Sequence, residues 1–220
     1  YYGVKEPRST SGAFTWGTAS SLLDVSSAAV YENTRAVTGL TASMSAGSPC
    51  GTGSLGTFDR LECYLRQYSF GGDYKDGWRR ALVGSDSTYS AERNIGQATL
   101  LGGALTFTGY KPSSLMCEAE GRSNLYALYF GTGTGYPDPI IGLTSSTDAS
   151  GNHEVEILVD LGVGLTITPS LHTGTGYDTA EGDTTAMLQT STGTTVQIEQ
   201  KSPLQTQRPG EIGWREHQNP

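Results

Sequence analysis

Short segments in which apolar and polar residues alternate, separated by glycine-rich or polar turns, recur between residues 22 and 200 and predict a β-rich fold. Residues 154–159 show the pattern, with glutamates between valine and isoleucine side chains. Alternation of this kind places the apolar residues on one face of a strand. The 30 glycines supply turns between such strands. About ten strands with almost no helix predict an all-β fold, built as a β-sandwich or jelly roll.

The most specific local prediction is a β-hairpin formed by Ile140–Ser145 and His153–Asp160. The connecting residues, Asp148–Asn152, contain the sequence Ser-Gly-Asn, and these residue types adopt the left-handed conformations that a tight reversal requires. Alternation then places one side of the second strand in the core. The side chains predicted to face the core are Val155, Ile157 and Val159.

Three other segments have predicted conformations. Leu125–Phe130 is apolar on both faces and is therefore predicted to be a central strand. Thr57–Phe70 is predicted to be an amphipathic strand with Cys63 on its inner face. A helical turn is predicted within Ser85–Gln97, because Tyr89–Asn94 lacks β-branched residues.

One domain with two extended arms is expected, since sandwiches of this length often form a single unit. The domain comprises residues 22–200, and the arms are residues 1–21 and 201–220, which lack sustained periodicity. Segments of this kind become ordered by wrapping a partner. The aromatic residues predicted to contact a neighbouring subunit are Tyr1, Tyr2, Trp16 and Trp214. Because the sequence does not begin with methionine, we expect it to be processed or trimmed.

The acidic residues are concentrated in the second half of the chain. Residues 123–200 contain nine carboxylates and no lysine or arginine, whereas the formal charge of the whole chain is −8. Because nucleic-acid affinity comes largely from lysine and arginine on phosphates, specific binding of DNA or RNA is disfavoured. The acidic block is interpreted as a solvated sheet face, with cation coordination or a surface that repels a passing polyanion as the alternatives.

No segment is long and apolar enough to predict membrane insertion. The longest apolar stretch, Ile157–Ile167, is interrupted by Asp160 and two glycines. A transmembrane helix needs about 20 predominantly apolar residues.

The three cysteines, Cys50, Cys63 and Cys117, leave at least one thiol unpaired in a monomer. A scaffold stapled by several disulfides is therefore excluded, and no Cys-x-x-Cys pair indicates zinc. Cys63 and Cys117 alternate with small or apolar residues, which predicts that both are buried as small hydrophobic side chains. Whether any two of the cysteines form a disulfide is left open.

Two glycine-rich loops repeat the sequence Thr-Gly-Thr-Gly-Tyr at residues 132–136 and 173–177. Neither has the lysine of a phosphate-binding loop, so each is interpreted as a structural turn. The second loop precedes a group of carboxylates that could supply oxygen ligands to calcium. The candidate calcium ligands are Asp178, Glu181 and Asp183, and no other cofactor is predicted.

Paired carboxylates are the strongest argument for an enzyme. Glu118 with Glu120, and Glu154 with Glu156, each share one face of a strand, as the acid and nucleophile of many glycosidases do. Exposed glutamates at alternate positions are, however, typical of a solvated sheet face. The histidines are far apart, and none lies in a hydrolase or metal motif. We therefore predict that the chain is not an enzyme.

The Gly/Thr-rich strands, the two arms, the scarcity of lysine and the segment Asn124–Phe130, followed by a Gly/Thr loop, resemble virion structural proteins. The likeness is greatest to the proteins of tailed bacteriophages. The likeness lies in the general composition and pattern of the whole chain, and it includes no motif from which residue roles could be transferred. The resemblance implies an all-β assembly subunit located in the virion.

The first function hypothesis is thus a non-enzymatic subunit of a viral particle that self-assembles as a capsid, decoration, tail or fibre protein. Its partners would be further copies of itself and other virion proteins. The alternative is an extracellular, lectin-like module that binds a glycan through loop tyrosines, with or without calcium. Neither hypothesis involves specific nucleic-acid binding or membrane insertion.

Overall fold

A computed structural model describes residues 1–5, 21–46, 48–67, 75–115, 120–173 and 184–204 and confirms the all-β prediction. These residues form seventeen strands and one helix. In chain order the elements are β1 (Tyr2–Val4), β2 (Leu23–Asp24), β3 (Ala29–Val30), β4 (Val37–Thr38), β5 (Ser43–Met44), β6 (Gly53–Ser54), α1 (Phe58–Arg66), β7 (Gly77–Arg79), β8 (Arg93–Asn94), β9 (Thr99–Leu101), β10 (Ala104–Lys111), β11 (Arg122–Tyr129), β12 (Leu143–Thr147), β13 (His153–Val155), β14 (Leu158–Val163), β15 (Ser170–Thr173), β16 (Thr184–Gln189) and β17 (Thr195–Gln200).

The central sheet has the strand order β14-β11-β10-β8, with β9 pairing the other part of β10. Strands β10 and β11 are antiparallel over eight residue pairs, from Ala104 opposite Tyr129 to Lys111 opposite Arg122. Every residue of β11 after Arg122 is buried. This confirms the prediction that the Leu125–Phe130 segment is a central strand, and its apolar character on both faces is explained by the layers that cover it.

Two layers cover the central sheet and give it a sandwich-like architecture. On one face Leu125 packs with Leu161 and with Ala186 and Leu188 of the sheet β15-β16-β17. On the other face aromatic and aliphatic side chains pack against the first third of the chain, including α1. The central-sheet residues on that side include Phe107, Tyr126 and Leu128. A third, smaller cluster contains Ala104, Ala127 and Ile140, so the apolar side chains of β10 and β11 are shared among three clusters.

The hairpin predicted around residues 148–152 is confirmed, with its first strand at Leu143–Thr147 in place of the predicted Ile140–Ser145. Strand β12 pairs antiparallel with β13, and Thr147 lies opposite His153. The Asp148 carboxylate accepts hydrogen bonds from the Asn152 backbone at 2.9 Å and from Ser150 at 2.8 Å, and Gly151 has a left-handed φ of 81°. The second arm of the hairpin is shorter than predicted, because the chain changes partner from β12 to β11 between Val155 and Leu158.

The predicted strand Thr57–Phe70 is wrong, because residues 58–66 form helix α1. The buried side chains lie three or four positions apart, at Phe58, Leu61 and Leu65, which is the spacing of a helical face. Asp59 in the first turn and Arg66 in the last turn also complement the helix dipole. The alternating pattern and the helical pattern coincide at Leu61 and Leu65, so alternation alone misassigned the segment.

The helical turn predicted within Ser85–Gln97 is also wrong. These residues are extended or irregular apart from the two-residue strand β8. Their backbone bonds to distant segments, since the Ser90 amide donates to the Pro112 carbonyl and the Glu92 amide to the Val83 carbonyl. Tertiary pairing therefore replaces the local hydrogen bonds that a helix would need.

A disulfide joins Cys50 to Cys63, a pairing that the sequence left open, and it corrects the prediction that Cys63 is buried as a small hydrophobic side chain. The bond connects the loop before β6 to the middle of α1. The strand assignment placed Cys63 on an inner face, whereas on the helix it points toward this loop and is only half-buried. Cys117 lies outside the described residues.

The described ends of both predicted arms lie on the body of the molecule. Strand β1 belongs to a three-stranded sheet with the order β1-β7-β2. At the other end, the Lys201 amide donates to the Ile140 carbonyl at 2.8 Å and the Leu204 amide to the Gly102 carbonyl at 2.9 Å. Residues 6–20 and 205–220, which contain Trp16 and Trp214, lie outside the described residues.

Stability is expected to fall as the pH drops below about 4. Lys111, 2.7 Å from Asp86, together with the Tyr89 and Thr88 amides, lowers the pKa of the Asp86 carboxyl to about 2. Hydrogen bonds from Ser26 lower the pKa of Asp24. Because these carboxyls bind protons more weakly in the folded state than in the unfolded state, their contribution is present above about pH 4 and is lost toward pH 2.

Thermal denaturation between pH 5 and pH 2 tests this expectation. The melting temperature of the wild type should fall through that interval, and the Asp86→Asn variant should show a shallower fall. Parallel curves for the two proteins would contradict a role for Asp86.

Candidate functional site

The candidate site is a cleft of about 350 Å³ beside strand β1. Five separate parts of the chain line it: residues 1–5, Leu65 of α1, Gly77–Trp78 of β7, Leu105 of β10 and Phe130–Gly131 after β11. The fold brings these parts together because β1 pairs with β7 at the edge of a sheet. The cleft opens to solvent over the first strand of the chain.

Trp78 forms the floor of the cleft and is only 3% exposed. It lies opposite Gly3 in the antiparallel pair. The indole occupies the space beside Gly3, because a β-carbon at that position would lie 2.2 Å from Trp78 Cε2. The indole Nε1 donates to the Phe130 carbonyl at 2.9 Å, so its polar atom is satisfied inside the protein. Trp78 therefore fixes the relative positions of β1, β7 and Phe130.

Tyr1 is held against the core of its own chain. Its ring stacks on Phe107 with the centroids 4.1 Å apart, and more loosely on Trp78 at 6.3 Å. The Tyr1 backbone nitrogen donates to the Arg80 carbonyl at 2.7 Å, and the Arg80 amide donates back to the Tyr1 carbonyl. These contacts leave Tyr1 half-buried and give the edge strand a fixed position.

The rim of the cleft is apolar and exposed. Tyr2 is 63% exposed, Val4 is 55% exposed and Phe130 is 42% exposed, and all three line the same cleft. Large apolar side chains that are exposed together mark surfaces for interaction. The rim therefore has the character of a docking site for an apolar or aromatic group.

The cleft offers few polar groups for chemistry. None of the described residues that line it carries a carboxylate or an imidazole. The Lys5 ammonium group donates to the Gln67 carbonyl at the C-terminal end of α1. Acid–base catalysis needs titratable groups that converge on a substrate, and glycan recognition needs several hydrogen-bonding side chains. The lining supplies neither set.

Apart from the cleft, a polar cluster is buried between the central sheet and the loop before β8. Glu92 is 7% exposed, and its carboxylate accepts hydrogen bonds from Asn124 Nδ2 at 2.8 Å, from the Val83 amide at 3.0 Å and from the Tyr126 hydroxyl. Burial, reinforced by the adjacent Glu92 carboxylate, raises the pKa of Tyr126 far above its usual value. The three donors use both carboxylate oxygens within the protein interior. The cluster therefore stabilises the fold and has no access for a substrate.

The structure brings together only part of the predicted site. Tyr1 and Tyr2 lie at the candidate cleft, Tyr1 half-buried on its own core and Tyr2 exposed on the rim. Glu154 and Glu156 lie half-buried around the end of β13, away from the cleft. The residues outside the described part of the chain are Trp16, Trp214, Glu118 and the candidate calcium ligands Asp178, Glu181 and Asp183. Their predicted roles stay predictions.

The described residues include no cluster of three or more metal-ligating side chains. The single helix in the same ranges, α1, is too short and too polar to span a bilayer.

Sequence reasoning missed the main residues of the cleft, Val4, Leu105 and Phe130. One local signal could have indicated Phe130. It follows a strand that is apolar on both faces and precedes a Gly/Thr loop, so its large apolar side chain lies at the end of the sheet. No local signal joins Phe130 to residues 1–5. That contact depends on the pairing of β1 with β7, which are more than seventy residues apart.

No protein-family model, curated protein or solved structure matches this chain.

Proposed function

We propose that this chain is a non-enzymatic structural subunit of a viral particle, of the kind found in tailed bacteriophages, and that it self-associates through the cleft beside β1. The observation that carries the proposal is the exposed apolar rim formed by Tyr2, Val4 and Phe130. A partner that covers these side chains removes apolar surface from water, at about 25 cal/mol for each Å². The partners are further copies of the chain and other virion proteins.

The chemistry of the lining favours a protein partner over a glycan. Sugar-binding sites combine an aromatic face with hydrogen-bonding side chains, whereas the rim here is aliphatic and aromatic. The lectin-like alternative therefore has weaker support from the described residues than self-association has. A calcium-dependent version would depend on residues 178–183, which lie outside them.

The Cys50–Cys63 disulfide supports a location exposed to an oxidising environment. Disulfides persist at virion surfaces and in extracellular proteins and are rare in the reducing cytosol. This fits a particle that spends its functional life outside the host cell. The carboxylates of residues 123–200 suit a surface that faces solvent or passing nucleic acid without binding it.

Self-association is tested by light scattering coupled to size exclusion, from about 1 µM to about 100 µM protein. The mass of the wild type should rise with concentration above that of one chain. Phe130→Asp should keep the mass at that of one chain over this range, because a carboxylate would have to be desolvated in the contact. The matched control is Met187→Asp, since Met187 is 39% exposed on the sheet β15-β16-β17, away from the cleft.

The melting temperature of each variant shows that it is folded. If Phe130→Asp unfolds the chain, Val4→Asp provides the same test from the opposite side of the cleft. A wild-type mass equal to one chain at every concentration would overturn the proposed function. An equal loss of association in Met187→Asp would place the contact elsewhere.

A further inference from the structure

We propose that the cleft beside β1 binds Ile212 and Trp214 from the C-terminal segment, residues 205–220, of a second copy of this chain. The inference rests on the proposed self-association and specifies its contact. Three observations carry it: the position of Leu204, the free edge of β1 and the sequence of the segment.

The described part of the chain ends at Leu204, near the Phe130 end of the cleft. The Leu204 amide donates to the Gly102 carbonyl at 2.9 Å, and the leucine side chain lies beside Gly103. Gly103 in turn accepts a hydrogen bond from the Phe130 amide at 3.1 Å. Leu204 is itself 42% exposed. The C-terminal segment therefore starts near Phe130, one of the three exposed apolar residues of the rim.

Strand β1 has a free outer edge among the described residues, since β7 is its only neighbour there. Tyr1 exchanges two hydrogen bonds with Arg80, and the Lys5 amide donates to Asp76. In an antiparallel pair, hydrogen-bonded residues alternate with residues whose N–H and C=O groups point outward. The backbone groups of Tyr2 and Val4 therefore point away from β7, where an added strand could pair with them.

The segment contains a sequence that fits such an edge. Ile212 and Trp214 are the only large apolar side chains in residues 205–220, and a single glycine separates them. In an extended strand, residues two apart lie on the same face. A segment paired to β1 can therefore direct both side chains to the cleft, and tryptophan is enriched among the residues that dominate interface energies.

The length of the segment favours a second molecule over the same one. Trp214 is ten residues beyond Leu204, and ten extended residues reach about 33 Å. Phe130 of the same chain lies near Leu204, so binding within one molecule would require the ten-residue segment to fold back on itself. A reach of this size is of the order of the domain diameter and suits contact with a neighbouring copy.

Photocrosslinking of the full chain tests the contact. Trp214 is replaced by p-benzoylphenylalanine, and equal amounts of unlabelled and nitrogen-15-labelled protein are mixed, dissociated, reassembled and irradiated. Mass spectrometry should find position 214 linked to residues 1–5 or to Phe130–Gly131. The linked peptides should include pairs with one light and one heavy partner, which only a contact between two molecules can produce.

The thermodynamic test compares Trp214→Ala with Arg215→Ala. Loss of a central tryptophan should raise the dissociation constant of self-association about 30-fold or more. Arg215 occupies the opposite face of an extended segment, so its replacement should change the constant less than about threefold. Both variants should keep the wild-type melting temperature of the monomer.

The outcomes separate this inference from the proposed function. Links confined to peptides of equal isotopic mass, links to another surface, or an unchanged dissociation constant in Trp214→Ala would overturn the inference while association itself persisted. A wild type that stays at the mass of one chain would overturn both.

Discussion

Glu92→Ala is expected to lower the free energy of unfolding by about 3–5 kcal/mol. The carboxylate accepts hydrogen bonds from Asn124, Tyr126 and the Val83 amide in a site from which water is excluded. Alanine would leave three buried donors without an acceptor and a cavity where the side chain had been. Each unsatisfied buried donor costs about 1–3 kcal/mol, and the effects of neighbouring groups are not fully additive.

Urea denaturation followed by fluorescence measures this loss. Glu199→Ala is the matched control, because Glu199 is exposed on β17 and its loss should change stability by less than about 0.5 kcal/mol. If Glu92→Ala fails to fold, Glu92→Gln gives a graded result. Its amide has one acceptor oxygen in place of two, so at least one donor must face an NH₂ group. Wild-type stability in both Glu92 variants would contradict a structural role for the cluster.

Loss of the Cys50–Cys63 disulfide is expected to cost about 3 kcal/mol in the double variant Cys50→Ala/Cys63→Ala. The two cysteines are 13 residues apart, and the bond closes a loop that contains β6 and the first half of α1. Without it the unfolded chain gains conformational freedom, and α1 loses its covalent connection to the preceding loop.

Reduction provides the control for this prediction. Dithiothreitol should lower the stability of the wild type by a similar amount and leave that of the double variant unchanged. Before reduction, alkylation of the unfolded wild type should modify neither Cys50 nor Cys63. Modification of both under non-reducing conditions, or equal stability of the wild type and the variant, would show that the bond is absent or energetically neutral.

Local sequence patterns were sufficient to predict the central strand and the turn of the hairpin. Leu125–Phe130 is apolar on both faces, and up to Tyr129 it is buried, with Leu125 in one core and Tyr126 and Leu128 in another. The turn at residues 148–152 was predictable because the Asp148 carboxylate and the left-handed Gly151 act within five residues. In both cases the physical cause lies within the segment itself.

Alternation failed where a second periodicity was present. In α1, Leu61 and Leu65 satisfy a period of two and a period near 3.6 equally well, and Phe58 and Tyr64 support only the helix.

The helical turn predicted in Ser85–Gln97 failed for a different reason. The residue that decides the conformation there is Glu92, a charged side chain that turns into the core because it accepts hydrogen bonds from three donors outside this segment. A single sequence does not reveal those partners.

The cleft was beyond sequence reasoning for the same reason. Its residues come from five parts of the chain, and each is unremarkable in its own segment. Tyr2 was predicted to be an interface residue because it is an aromatic residue of the N-terminal arm, and in the structure it lies exposed on the apolar rim of the cleft. The disulfide was left open because three cysteines allow three pairings, and only the helix brings Cys63 to Cys50.

The position of β11 between two cores bears on how this sequence can diverge. Each side chain from Ser123 to Tyr129 is enclosed by neighbours from a layer on its own side, and the backbone is paired along both edges. A substitution tolerated by one layer must also preserve the strand on which the opposite layer is built. Exposed loops carry no such double constraint. Mutational drift should therefore be slowest in residues 122–129, and a remote homologue should be most recognisable by that octapeptide.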